Sequence, residues 1–152
     1  PPSSLRHRGL RRRRHRRVVG LPTLEGNALL AGHGLPVYGY EFADPTAPNV
    51  NGVTTPEVPQ GAAHATDVPY LFDLNGRNLL TTPAQQRLAD RMIGYWTTFA
   101  RTGSPGQDWP ALRGPEGPTL WLPPEGRMVD PGLIDLGAEH RCALWAQLPG
   151  GG

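Results

Sequence analysis

The clearest periodic pattern of apolar and polar positions lies between Thr82 and Gly103. Thr82 and Gln85 match a capping box, and Pro83 takes the first helical position, where a missing N–H leaves no hydrogen bond unmade. Gly103 suits the left-handed residue that ends many helices. The pattern therefore predicts a helix with one broad apolar face that packs on a sheet or on another helix. The residues of that face recur at spacings of three and four: Leu88, Met92, Tyr95, Trp96, Phe99 and Ala100.

A shorter apolar run, Leu35–Phe42, predicts a strand that leads into a long loop. Its residues alternate and are rich in Val and aromatics, as expected of a buried strand. Four prolines follow between residues 43 and 61 and require a loop there. Upstream, the leucines of residues 22–34 are compatible with a short helix that ends near Gly32.

The downstream sequence predicts a hairpin and a final helix. Thr119–Leu122 and Arg127–Val129 flank a Pro-Pro-Glu-Gly turn, as in a hairpin with a four-residue loop. Residues 138–148 fit a short helix. His140 and Cys142 are two positions apart and would face different sides of that helix, so they do not indicate a metal site.

Charge divides the chain into two parts. Eight of the 15 arginines lie in the first 17 residues, and the remaining 7 against 13 acidic residues give the rest of the chain a net charge of −6. The basic pI of about 9.2 therefore comes from the N-terminal segment and does not indicate that the acidic body binds nucleic acid. We interpret residues 1–20 as disordered or extraneous to the fold. An Arg-rich arm for nucleic acid or anionic lipid is the alternative.

Other sequence features exclude a few classes and leave the compartment open. The single cysteine, Cys142, rules out a disulfide within the chain. No apolar run approaches the length that crosses a membrane, so we expect no membrane partner. The chain opens on Pro1 without an initiator Met, and we expect its true beginning to be missing.

One residue stands out as a candidate for chemistry, His64. It lies in the stretch Gly-Ala-Ala-His-Ala-Thr-Asp-Val-Pro-Tyr-Leu-Phe, where the neighbouring side chains are too small to bury an imidazole. We therefore expect His64 on an exposed or cleft-facing loop. A lone histidine is more often structural, so its spacing alone does not establish a catalytic role.

This stretch resembles the histidine segment of the type-B carboxylesterases, which include the cholinesterases and bacterial nitrobenzyl esterases. The shared pattern is small-small-His-x-x-acid-x-Pro-Tyr-Leu-Phe, with the acid at Asp67. The resemblance runs in consistent order from about Pro22 to Trp145. Its other matching motifs are Pro36–Phe42, Tyr95-Trp96, Phe99–Gly103 and Trp109-Pro110.

The resemblance implies an α/β fold class, with residues 21–152 as the C-terminal part of an α/β-hydrolase domain: an incomplete sheet with flanking helices. It implies a serine hydrolase acting on small carboxylic esters, without a cofactor, a metal or a nucleic-acid partner. A non-catalytic interaction module of the same fold is the alternative.

The resemblance also implies a role for His64 as the general base of a Ser-acid-His triad. The nucleophile is not in this chain, since Ser3 and Ser4 lie beside the arginines and Ser104 fails the G-x-S-x-G pattern. The triad acid comes from an earlier strand in the family, so Asp67 is expected to have a structural role in the loop. We therefore expect this chain to be inactive by itself.

The sequence departs from the family at Ala65, where the family often has Gly. If the backbone there requires positive φ, Ala65 is mildly strained.

Overall fold

The computed structural model describes residues 21–52, 60–113, 117–126 and 132–147. The predictions for residues 1–20 and for the second hairpin arm, 127–129, lie outside these ranges. The elements in chain order are α1 (Leu21–Gly32), β1 (Tyr40–Phe42), a 3-10 helix (Val68–Tyr70), α2 (Pro83–Thr102), β2 (Thr119–Leu122), β3 (Gly132–Ile134), α3 (Leu136–Glu139) and α4 (Cys142–Ala146).

The described residues fall into two compact units. One unit comprises Tyr40–Trp109 and Leu120–Gly132, and it contains β1, the 3-10 helix, α2 and most of β2. The other comprises the described residues of Pro1–Gly39, Pro110–Thr119 and Leu133–Gly152, with α1, α3 and α4. We call the first the histidine unit, because it carries His64 and every contact of the candidate site.

Helix α2 begins and ends where the sequence predicts. The Thr82 hydroxyl accepts the Gln85 N–H at 3.2 Å, and the Gln85 side-chain oxygen accepts the Thr82 N–H at 3.3 Å. These two bonds are the predicted capping box, and they satisfy backbone donors that the first turn leaves without partners. At the other end Gly103 has φ 76° and its N–H donates to the Phe99 carbonyl at 2.8 Å. The helix prediction is confirmed.

The apolar face of α2 is fully buried only over its first half. Leu88 and Met92 are inaccessible to solvent, but Phe99 keeps 47% of its surface exposed. Between them, Tyr95 and Trp96 are half-buried and pack against Trp109, each with ring centroids 5.4 Å from it. The predicted packing of this face is therefore complete over the first turns of the helix and partial at Phe99.

The predicted strand Leu35–Phe42 is shorter and more exposed than expected. Only Tyr40–Phe42 forms β1, which pairs in parallel with β2 in the order β1-β2-β3. Val37 instead makes an isolated antiparallel bridge to Leu112. The two parts of the run therefore pair with different partners in opposite directions, which prevents one continuous ladder. Tyr40 is exposed and the other two residues of β1 are half-buried, so the expectation of a buried strand is also wrong.

The other helices confirm one prediction and correct another. Helix α1 ends at Gly32, as predicted. The single helix expected over residues 138–148 is wrong, because Arg141 adopts φ 52° and separates α3 from α4. None of the described helices has the length and apolar character needed to cross a membrane.

The turn after β2 is held to α2 by one carboxylate. Glu125 accepts from Arg91 at 2.8 Å and also from the Nε of Arg87. The two arginines are one helical turn apart, so a single acid spans both. This contact ties the turn after β2 to two successive turns of α2.

The capping box generates a stability prediction. We expect Thr82→Ala to lower the free energy of unfolding by about 1 kcal/mol, because it removes the acceptor of the Gln85 N–H. The matched control is Thr97→Ala, in which the lost hydroxyl bonds back to the Ile93 and Gly94 carbonyls of the same helix. Urea unfolding of both variants measures the difference. Equal losses in the two would contradict the assignment of the cap.

Candidate functional site

His64 is the exposed residue of a turn that leads directly into the 3-10 helix. The turn is built from small residues, as the sequence predicts, and the exposure of His64 confirms the prediction that it lies on an exposed or cleft-facing loop. The imidazole makes no hydrogen bond to any residue that the structure describes. It is therefore available to a group outside those residues.

The backbone of the turn is held, whereas the imidazole has no hydrogen-bond partner among the described residues. The Thr66 hydroxyl and the Thr66 N–H both donate to the Ala63 carbonyl, at 2.7 and 3.1 Å. The Asn51 side-chain amide donates to the His64 carbonyl at 2.9 Å. Thr66 itself is fully buried. Carbonyls on both sides of the His64 Cα are thus fixed, which limits where the ring can point.

Ala65 carries the backbone strain that its departure from the family pattern suggested. Its φ is 66°, in the left-handed region that an L-residue with a Cβ adopts at a cost. The residue directly after His64 therefore turns the chain in a way that glycine does more easily.

Asp67 serves a structural contact in this turn. The Tyr40 hydroxyl donates to its carboxylate at 3.0 Å. The Tyr40 ring packs edge-on against Trp96, with centroids 4.9 Å apart. Burial raises the pKa of Tyr40 well above its usual value, and the charge of Asp67 raises it further, so this hydroxyl remains a donor. No carboxylate among the described residues bonds to the His64 imidazole.

A buried carboxylate that sequence reasoning missed lies behind the turn. Asp44 is fully inaccessible to solvent and accepts four hydrogen bonds. Its Oδ1 accepts the N–H and the hydroxyl of Thr46, both at 2.7 Å. Its Oδ2 accepts the Tyr70 hydroxyl and, at 3.0 Å, the Gln85 amide.

The four donors keep Asp44 ionised. Burial by itself raises the pKa of the carboxyl, but the hydrogen bonds from Tyr70, Thr46 and Gln85 outweigh burial and hold it below its usual value. In return, burial and the bond to Asp44 raise the pKa of Tyr70 far above its usual value. All three donor residues are neutral, so no cation neutralises this charge within the described residues.

Part of this cluster had a signal in the sequence. The Asp-Pro-Thr stretch at residues 44–46 is typical of a turn in which an aspartate accepts the N–H two residues on. The contacts to Tyr70 and Gln85 cross 26 and 41 positions and leave no local trace. Neither periodicity nor turn chemistry predicts them.

The described residues show neither a nucleophile nor a metal centre. Ser104 accepts the Gly106 N–H at 3.4 Å, a local turn contact. No group of three or more His, Cys, Asp or Glu in the described ranges is arranged to hold a metal ion.

Comparison with solved structures defines the class of protein. An esterase from Clostridium hathewayi superposes with a TM-score of 0.58 at 22% identity, covering 78% of this chain and 23% of its own. A PNB esterase superposes with a TM-score of 0.51 at 26% identity, covering 74% of this chain and 22% of its own. The fold is that of an α/β-hydrolase, represented here by an incomplete three-stranded sheet with flanking helices.

Sequence comparison gives the family. The family model described as "Carboxylesterase family" matches residues 9–139, beginning within the Arg-rich segment. Acylcarnitine hydrolase of Mus musculus is 34% identical over 98 residues, which are 60% of this chain and 17% of that protein. The chain belongs to the carboxylesterase family, and it spans less than a fifth of the length of this relative.

Because Ala65 is strained, glycine substitutions at Ala65 and at Ala63 should change the free energy of unfolding in opposite directions. We expect Ala65→Gly to raise the free energy of unfolding by up to about 1 kcal/mol, because it relieves the left-handed strain. The control is Ala63→Gly, at a residue without positive φ, which we expect to destabilise by about 0.5–1 kcal/mol. Thermal and urea unfolding measure both variants. A loss of stability in both would show that Ala65 is unstrained.

The Asp44 cluster generates a pH prediction. The folded-state pKa of Asp44 lies below its unfolded value, so its contribution is complete above that unfolded value, about pH 4, and is lost as the pH falls through the folded pKa. We expect Asp44→Asn to be less stable at neutral pH and to flatten the acid limb of the stability profile. Asp73→Asn, at an exposed site, should leave the limb unchanged. If stability falls with pH equally steeply in the unaltered chain and in Asp44→Asn, the result would contradict this assignment.

Proposed function

We propose that this chain supplies the general base, His64, of a serine carboxylic-ester hydrolase. The observation that carries the proposal is the turn itself. The imidazole is exposed and makes no hydrogen bond within the described residues, while Asn51 and Thr66 hold the backbone on both sides of it. A general base needs that combination of a fixed origin and a ring free to meet its partner. Membership in the carboxylesterase family supports the assignment.

In this proposal one nitrogen of His64 takes the proton of a serine hydroxyl as the oxygen attacks the ester carbonyl. The resulting imidazolium then returns the proton to the leaving alkoxide. The second ring nitrogen requires a carboxylate that fixes the tautomer and stabilises the positive charge. The serine, that carboxylate and the oxyanion donors come from sequence other than residues 21–152, which form the C-terminal part of the hydrolase domain.

The proposed substrate class is a small carboxylic ester. The acylcarnitine hydrolase relative is named for cleaving an ester of this kind, and the family description supports the class without selecting an acyl or alcohol group. The acidic body of the chain offers no reason to propose a nucleic-acid partner.

The first test uses the chain as it is. We expect no turnover of a nitrophenyl ester above that of free imidazole and no labelling by a fluorophosphonate, because covalent catalysis requires the serine and its oxyanion donors. Stoichiometric labelling of Ser104, with turnover abolished by His64→Ala, would show instead that the chain is a complete enzyme.

The second test supplies the missing partners. Residues 21–152 replace the matching part of the PNB esterase, and folding of the hybrid is checked by circular dichroism. We expect an active hybrid in which His64→Ala lowers kcat at least about a thousandfold. The matched control is His33→Ala, at an exposed histidine of the other unit, which should leave kcat unchanged.

Two results would contradict the proposal. Full activity in the His64→Ala hybrid would show that His64 is not the base. A folded but inactive hybrid that retains His64 would favour the non-catalytic interaction module of the same fold.

A further inference from the structure

We propose that Asp44 is a positioning residue for His64: through Tyr70, this buried carboxylate fixes the segment that carries the imidazole against the N-terminus of α2. This inference rests on the proposed function of His64 and adds residues to it that the family assignment does not name. Neither Asp44 nor Tyr70 contacts the imidazole, so both act through the backbone.

Asp44 carries a buried negative charge to which the proposed catalytic step assigns no role. A fully buried carboxylate loses its hydration, and that loss is offset only when its oxygens are well bonded. Both oxygens of Asp44 accept two hydrogen bonds each, all from neutral donors. Apolar packing would fill the same space without the desolvation cost. The retained charge therefore indicates that the directions of these hydrogen bonds matter.

The donors to Asp44 come from three separate segments of the chain. Thr46 belongs to the turn that Asp44 itself begins, and Tyr70 closes the 3-10 helix. Gln85 stands in the first turn of α2, where its side-chain oxygen accepts the N–H groups of Thr81 and Thr82. Its amide nitrogen donates to Asp44 and, at 3.1 Å, to the Thr46 carbonyl. Both ends of one amide are thus committed, so the capped helix end determines where Asp44 lies.

A run of backbone hydrogen bonds leads from Tyr70 back to the turn that carries His64. The Tyr70 N–H donates to the Asp67 carbonyl at 3.0 Å, the Val68 N–H to the Ala65 carbonyl at 3.2 Å, and the Thr66 N–H to the Ala63 carbonyl at 3.1 Å. These overlapping turns run without a gap and enclose His64. A displacement of Tyr70 is therefore passed to the backbone of the turn over a few residues.

The side chain of Tyr70 is fixed at both its ring and its hydroxyl, so it can anchor this run of turns. Its side chain is 1% exposed, and its ring packs edge-on against Phe42 of β1 at a centroid distance of 4.8 Å. The ring contact fixes the plane of the side chain, and the hydroxyl bond to Asp44 fixes its end. Loss of the hydroxyl leaves the ring in place but removes the directional contact.

Each Asp44 oxygen accepts two hydrogen bonds, and this predicts the effect of replacing the carboxylate with an amide. In Asp44→Asn the new NH₂ faces either the Thr46 N–H or the Gln85 NH₂, so a donor meets a donor in both orientations. Adding Gln85→Glu moves the negative charge across the same contact and restores the donor–acceptor pair with residue 44, although the Thr46 carbonyl loses the donor that Gln85 supplied. A glutamate at this third helical position also keeps the capping box with Thr82.

The experiment measures amide hydrogen exchange in the unaltered chain and in four variants, well below each melting temperature. The variants are Tyr70→Phe, Asp44→Asn, the double variant Asp44→Asn/Gln85→Glu, and Tyr95→Phe as the control. Tyr95 is a half-buried tyrosine of the same unit, and no hydrogen bond holds its hydroxyl among the described residues. The reporter amides are Thr66 and Val68, with the Gly103 amide at the end of α2 as an internal reference.

We expect Tyr70→Phe to speed exchange at Thr66 and Val68 about tenfold or more relative to Gly103, since the lost hydrogen bond goes to a charged acceptor. The carbon shifts of Ala65, which report its left-handed conformation, should move towards averaged values. Asp44→Asn should have the same two effects, and the double variant should recover part of the protection from exchange. Tyr95→Phe should change neither the exchange rates relative to Gly103 nor the Ala65 shifts.

Equal acceleration at Thr66, Val68 and Gly103, or unchanged Ala65 shifts in Tyr70→Phe, would show that the cluster only adds global stability and would overturn the inference. If Asp44→Asn does not fold, Tyr70→Phe still decides, because it removes one hydroxyl and keeps the ring. Neither the exchange rates nor the Ala65 shifts depend on ester cleavage. The positioning role of Asp44 and Tyr70 can therefore be contradicted independently of the catalytic role of His64. In the esterase hybrid, Tyr70→Phe should lower kcat and leave KM unchanged.

Discussion

The buried carboxylate of Asp44 is the constraint on which the histidine unit depends. It is inaccessible to solvent, and it stays ionised because Thr46, Tyr70 and Gln85 satisfy both of its oxygens. A buried charge tolerates little displacement of its donors, because each lost hydrogen bond leaves desolvation uncompensated. The end of β1, the 3-10 helix and the first turn of α2 are therefore held to one point.

A second tyrosine–aspartate contact holds the same segment from the other side. Tyr40 of β1 donates to Asp67 of the turn, whereas Tyr70 of the 3-10 helix donates to Asp44 beyond β1. The two contacts run in opposite directions between the same two stretches of chain. The Asp67 contact is exposed and the Asp44 contact is buried, so the second dominates the energetics. Together they explain how a turn of small residues keeps a defined shape around an exposed histidine.

The carboxylesterase family assignment and this geometry are complementary. Family membership gives the carboxylesterase class, but it does not say what holds the turn around His64 in this chain. The geometry shows a backbone held at Ala63 and His64 and strained at Ala65. Such strain persists where surrounding contacts over-determine the conformation, as they do here. The imidazole itself remains open to partners from sequence beyond the described residues.

The sequence by itself determined the local features. The capping box, the glycine end of α2, the Gly32 end of α1 and the small-residue turn around His64 all follow from residues within a few positions of one another. The sequence also identified the family, since several motifs occur in the right order.

Only the tertiary structure decided which strand residues find a partner, how much of the α2 face is covered, and where Asp44 obtains its donors. Val37 pairs away from β1, Phe99 stays exposed, and Tyr70 and Gln85 reach Asp44 across 26 and 41 positions. These outcomes depend on neighbours brought together by folding, and a hydrogen bond between distant residues leaves no periodicity in the chain.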